Sequence, residues 1–211
     1  MRDIFGPYRD MTLEDIRVTD DYMQDALDQV TTYIANLDDN RAKGHGLTLL
    51  GPAGVGKTML SCLVLKEAKA RNYRIEAIEF TALVELVKKQ YTLASFGKNG
   101  NEEAQDEWYR IEEHVRRIKG GAKRTAADWV LLDDIGREYE SGSGWSANQL
   151  FDLTRFRYNR GLPFLLTSNC GEDQLDQRYT EGLVSFLHEA TEVIYIGSED
   201  YRTREERSAG D

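Results

Sequence analysis

Short apolar runs alternate along this chain with longer segments whose apolar residues recur every three or four positions. The first such segment spans about residues 20–37. There Tyr22, Ala26, Val30, Tyr33, Ile34 and Leu37 fall on one helical face, and Asp20 and Asp21 suit its amino end. Leu47-Thr48-Leu49-Leu50 reads as a short buried strand running straight into a glycine-rich turn. A helix is predicted from Lys57 or Thr58 to about Ala70, a second strand over 74–80, and a helix from a Thr81 cap to about Tyr91. Residues 94–106 are polar and hold Gly97, Asn99, Gly100 and Asn101, which predicts a mobile loop. A helix over 108–119 ends at Gly120-Gly121. Trp129-Val130-Leu131-Leu132-Asp133 is a third strand ending in acid, and Ser141 to Gly144 a loop before a helix over 146–159. The fourth strand is 162–168, with Pro163 near its start where a missing donor is tolerated. One helix over 172–189 and a fifth strand over 193–196 follow, and the tail from Ser198 is polar and charged.

Strands alternating with helices are the pattern of a parallel α/β sheet. The reading is one domain: a short helical extension over 1–40, a core over 41–204 with five parallel strands flanked by helices and no separate C-terminal lid domain, and a charged tail over 205–211.

The turn after the first strand, Gly51-Pro52-Ala53-Gly54-Val55-Gly56-Lys57-Thr58, matches the P-loop template in full. Its glycines let the backbone turn tightly and present N–H groups. The helix starting at Lys57 adds its positive end, Lys57 places a cation on the β- and γ-phosphates, and the Thr58 hydroxyl ligates Mg²⁺. ATP with Mg²⁺ is therefore the expected ligand. Asp133 and Asp134 close an apolar strand in a Walker-B pattern, the first acid reaching the magnesium shell and the second polarising the attacking water. Asn169, at the tip of the strand 165–168, is a candidate to bond both the γ-phosphate and that water. An asparagine ending a strand is also ordinary turn chemistry.

With the P-loop, Asp133-Asp134-Ile135-Gly136 and Thr167-Ser168-Asn169 in that order, the chain resembles AAA+ ATPases, specifically the DnaC/IstB-like group of helicase loaders and transposition helpers. Arg178-Tyr179-Thr180-Glu181-Gly182-Leu183-Val184-Ser185 and Gly197-Ser198-Glu199-Asp200-Tyr201-Arg202 add to the likeness, which covers about residues 40–204. The resemblance implies an AAA+ sheet, ATP hydrolysis coupled to a protein partner and single-stranded DNA, and Asn169 as the sensor asparagine. Where the family carries arginines one turn apart, this chain has Gly182 and Phe186. Either Arg178 serves as the arginine finger, or the protein forms no self-activating filament. Arg202 matches the family's late arginine, a second sensor of the γ-phosphate; the alternative is a surface charge in a charged tail.

Composition narrows the partners. Of 211 residues, 37 are acidic and 27 basic, a formal net charge of −10, which argues against sequence-blind binding to duplex DNA. A local groove remains open to single-stranded DNA. The candidates are Lys88, Lys89 and Tyr91, and the run holding Arg116, Arg117, Lys119, Lys123 and Arg124; solvated helix ends are the plainer reading of both. Cys62 and Cys170 lack metal-ligand spacing, and His45, His114 and His188 are too scattered for a metal site. The absence of a long apolar stretch, in the first residues or elsewhere, leads to the expectation of a cytoplasmic protein. The leading functional expectation is a loader ATPase that engages a replicative helicase. The alternatives are a transposase helper acting on duplex DNA and, more remotely, a P-loop small-molecule kinase.

Overall fold

The computed structural model describes residues 5–18, 20–97, 102–121, 125–138, 144–179 and 182–197. Arg202, Lys123, Arg124, the loop glycine Gly142 and the tail 205–211 lie outside them.

A strap over residues 5–16 makes two 3-10 turns, Gly6–Tyr8 and Leu13–Asp15. It lies across the third helix, where Lys66 Nζ donates to the main-chain oxygens of Arg9, at 2.7 Å, and Met11. Phe5 and Ile16 are buried in the core beneath. Helix α1 (Asp21–Ala35) starts at Asp20, whose side chain accepts from the Met23 N–H at 2.9 Å, and buries Met23, Ala26, Val30 and Tyr33. Helix α2 (Leu37–Lys43) is a seven-residue addition that the periodicity does not announce.

Strands β1 (Gly46–Leu50), β2 (Ile75–Glu79), β3 (Trp129–Ile135), β4 (Phe164–Ser168) and β5 (Thr191–Tyr195) form one parallel sheet in the order β2-β3-β4-β1-β5. β4 thus sits between the strand that carries the P-loop and the strand that ends in two acids. The remaining helices are α3 (Lys57–Ala70), α4 (Phe80–Gly97), α5 (Glu102–Lys119), α6 (Trp145–Tyr158), α7 (Glu172–Arg178) and α8 (Leu183–Ala190).

The two-residue period of the strands sorts their side chains into two cores. Leu47, Leu49, Trp129, Leu131, Leu165 and Ile194 meet α1, α3 and the strap. Leu50, Val130, Leu132, Phe164 and Leu166 meet α4, α5, α6, α7 and α8. Both faces are covered, so the central strands β1 and β4 are mostly apolar and fully buried.

Three departures from the sequence reading have local causes. α4 and α5 extend into the polar stretch expected to be loop, because solvent-facing residues such as Ser95 and Glu103 are compatible with helix once an apolar face is anchored. The predicted helix over 172–189 is two helices, with Gly182 at φ +95 opening the second. β3 runs two residues further than expected, and its register to β4 shifts between Leu132 and Ile135.

A buried arginine fastens the lower end of the sheet. Arg157 of α6 is 0% exposed, and its guanidinium donates to the main-chain oxygens of Ile118 (2.7 Å), Ala127 (3.1 Å), Asp128 (3.2 Å) and Pro163 (2.8 Å). Burial, and to a lesser degree Arg41, lower its pKa to about 9, so it stays charged at neutral pH. Beside it, Asp128 accepts from Arg41 and Arg74 side chains, at 3.1 and 3.0 Å.

Candidate functional site

The P-loop, the acidic tip of β3 and the tip of β4 converge at the carboxyl end of the sheet, where parallel α/β folds place their ligands. β1 delivers the loop, and Gly51 at its start has no room for a side chain: a Cβ there would stand 2.2 Å from the Ile196 oxygen. α3 begins at Lys57, so the positive helix end and its first-turn N–H groups open onto the loop. A cleft of about 260 Å³ is lined there by Gly54, Gly56, Lys57, Thr58, Asp134 and Asn169, with Tyr8 of the strap and Arg137 at its walls.

Side chains from α3, from β3 and from the end of β4 are wired together across the cleft. Lys57 is 6% exposed, and its Nζ donates to the main-chain oxygens of Gly51 (2.7 Å) and Pro52 (2.5 Å) and to Asn169 Oδ1 (2.8 Å). The Asn169 amide in turn donates from Nδ2 to Asp134 Oδ1 at 2.7 Å. Asp134 adopts φ +60, a left-handed conformation that an aspartate tolerates better than most residues, at the point where β3 slips its register against β4. That kink separates the two acids: Asp134 faces Asn169, and Asp133 faces the hydroxyls.

Asp133 Oδ1 accepts from Thr58 Oγ1 at 2.9 Å and from Thr167 Oγ1 at 2.6 Å, and Thr167 Oγ1 also accepts from the Asp134 N–H at 2.8 Å. Burial raises the Asp133 carboxyl above its usual range; the Thr167 and Thr58 hydroxyls pull it back in part, and Asp134 and Glu79 add to the rise. Thr58 and Asp133 are hard oxygen donors that converge on one point. They suit a cation such as Mg²⁺ whose remaining ligands are phosphate and water oxygens.

Of the residues singled out from sequence, Gly51 to Thr58, Asp133, Asp134 and Asn169 therefore meet in one place. Arg178 stands apart from that wiring, with Nη2 donating to the Glu138 main-chain oxygen at 2.6 Å and its guanidinium beside the buried Glu138 carboxylate. Arg202 is outside the described residues. Sequence reading missed three participants. Thr167 stands there only within the Thr167-Ser168-Asn169 motif, and Arg137 and Tyr8 are given no role.

The two basic clusters come together on another face. Tyr91 of α4, Arg116 and Lys119 of α5, Trp108 and Phe156 line a groove of about 400 Å³. Tyr91 is exposed and packs edge-on to Trp145, over whose ring Lys88 Nζ lies at 5.5 Å. Lys89 pairs with Glu107 at 2.5 Å and Arg117 with Glu76 at 2.7 Å, so these two cations are engaged within the fold. No helix among the described residues is long and apolar enough to cross a membrane.

No protein-family model matches the sequence, and no curated protein matches it. Solved structures do match in three dimensions. The DnaC helicase loader aligns with a TM-score of 0.67 at 22% identity, over 90% of this chain and 98% of that one. DnaI aligns at 0.62 and 22% identity, over 93% and 92%. The replication initiator DnaA, bound to AMPPCP and single-stranded DNA, aligns at 0.62 and 21% identity, over 94% of this chain and 54% of that one. At these identities the likeness is one of fold, and the chain has an α/β fold similar to that of these three proteins.

Proposed function

We propose that the chain is an ATP-binding and ATP-hydrolysing switch of the helicase-loader kind, which engages a replicative helicase and single-stranded DNA. The observation that carries this reading is the hydrogen-bonded series Lys57–Asn169–Asp134 from the start of α3 to the tips of β4 and β3, set beside the Thr58–Asp133 oxygen pair.

In this reading the loop N–H groups and Lys57 hold the β- and γ-phosphates. Thr58 and Asp133 hold Mg²⁺, which supplies positive charge to the phosphate oxygens. Asn169 and Asp134 orient the attacking water. The water oxygen bonds to the γ-phosphorus as the bond to the β–γ bridging oxygen breaks, the water proton moves toward Asp134, and ADP and phosphate result. The Asn169 amide, bonded on one side to Lys57 and on the other to Asp134, makes the water-orienting group responsive to what Lys57 holds.

Support for the partners is of a different kind. The groove with Tyr91, Trp108, Arg116 and Lys119 combines aromatic faces with cations, which is what single-stranded bases and phosphates need. The fold likeness to loaders supports the protein partner.

ATP turnover measured with and without single-stranded DNA and with and without a replicative helicase tests the proposal. Turnover altered by both, and co-elution with the helicase, are the expected results. Turnover raised by a small metabolite and indifferent to both would replace it with a kinase. Binding to duplex DNA and a transposase instead would replace it with a transposition helper.

A further inference from the structure

The turn that leaves β3 aims an arginine into the same cleft. Arg137 lines it with Lys57, Thr58 and Asn169, and its Nη1 donates to Asp134 Oδ2 at 2.7 Å, opposite the oxygen that accepts from Asn169. Its side chain is 71% exposed, so the guanidinium is held by this ion pair and by the turn beneath it rather than by packing. A guanidinium has five donors in a planar fork, so one that bonds a carboxylate can bond a second anion as well.

The turn itself is clamped on both sides of Arg137. The Gly136 N–H donates to Glu138 Oε2 at 3.0 Å. Glu138 is 1% exposed; its main-chain oxygen accepts from Arg178, and its other carboxylate oxygen accepts from the Tyr179 hydroxyl. Burial and the Glu138 carboxylate hold the Tyr179 phenol far above its usual pKa, so it remains a donor. Arg178 and Tyr179 stand at the end of α7, which follows the β4 tip that carries Asn169. The turn before α6 and the sensor asparagine are therefore fixed to the same helix. Arg178 uses its guanidinium inside its own chain, and among the described residues the arginine that lines the cleft is Arg137.

We propose that Arg137 is a catalytic residue supplied in cis, bridging Asp134 and the terminal phosphate of the bound nucleoside triphosphate, and that Glu138, Arg178 and Tyr179 are positioning residues that present it. The inference rests on the ATPase reading above. As the bond between the γ-phosphorus and the bridging oxygen breaks, negative charge gathers on the bridging and equatorial oxygens. The guanidinium offsets it, with no bond formed to the arginine and no proton passed.

The test uses the whole chain, with binding of a fluorescent ATP analogue and ATP turnover measured separately over a range of protein concentrations. Arg137→Ala is expected to bind the analogue nearly as tightly as the wild type and to lose about 100-fold or more in kcat. Arg137→Lys recovers little of it, because a point charge cannot bridge two anions as a fork does. Wild-type turnover per chain stays constant as protein concentration rises. Tyr179→Phe lowers kcat while KM holds. Arg137→Ala turnover equal to or above the wild type, with analogue binding retained, overturns the inference and leaves the ATPase reading standing. So does wild-type turnover per chain that climbs with concentration, the mark of a neighbouring copy's arginine. A wild-type chain that binds the analogue without hydrolysing ATP overturns both together.

Discussion

Lys57 and Asn169 are separated by 112 positions and meet at 2.8 Å, nitrogen to oxygen. A lysine expected to hold phosphate and an asparagine expected to sense it are thus in direct contact, and the asparagine passes the contact on to Asp134. The two ends of that series should fail differently when cut. Lys57→Ala removes the phosphate-facing cation and should weaken nucleotide affinity by at least about 30-fold, ~2 kcal/mol, in a fluorescence titration. Asp134→Asn should retain affinity and lose about 10²–10³-fold in kcat. Equal losses of affinity in both variants would separate Asp134 from the chemical step.

Arg157 makes a prediction about stability alone, since it lies far from the cleft at the other end of the sheet. Replacing it with Met leaves the oxygens of Ile118, Ala127 and Pro163 without their donor in a dry interior. The expected cost is about 3–5 kcal/mol, a fall in melting temperature of roughly 10 °C for a chain of this size. A calorimetric scan within 2 °C of wild type, taking ~2 °C as under 1 kcal/mol, would contradict it.

Asp128 gives a pH dependence. Burial works to raise its carboxyl, but hydrogen bonds from the Arg74 side chain and backbone and from Arg41 outweigh it, and its pKa is lowered from 3.8. An acid with a depressed folded pKa contributes stability that is present above its unfolded value and lost as pH falls through the folded one. Asp128→Asn should therefore be less stable than wild type at pH 7, by about 1–3 kcal/mol. The gap should close as pH falls below 3.8, which denaturant titrations at several pH values would follow.

The groove between α4, α5 and α6 separates stacking from charge. Tyr91→Ala should weaken binding of a labelled oligo-dT by about 1–3 kcal/mol at every salt concentration. Arg116→Ala should instead flatten the slope of log affinity against log salt by about 0.7. Anisotropy titrations read both, and wild-type behaviour in the two variants would remove the groove as the contact surface.

How much of this was legible in the sequence follows a physical line. The five strands were, because runs such as Leu47 to Leu50 and Phe164 to Ser168 have to be buried on both faces. The P-loop, the acid pair and Asn169 were, because their chemistry depends on residue type and short spacing. What escaped depends on distant neighbours. Arg157 and Glu138 are charged residues that any periodic reading leaves in water; carbonyls from three other segments bury the first, and Tyr179 and Arg178 bury the second. The break at Gly182 was hidden because apolar residues recur at helical spacing on both sides of it. Arg137 escaped because nothing local says which way a loop side chain will turn.

The strap has a mechanical consequence. Lys66, which grips the backbone at Arg9 and Met11, stands about two and a half turns along the helix that opens with Lys57. That helix is a stiff rod of 14 residues, about 21 Å long. A pull on the amino-terminal strap therefore reaches Lys57 along α3 without first crossing the sheet. Any partner that takes hold of residues 5–16 has a lever that ends in the cleft lined by Lys57.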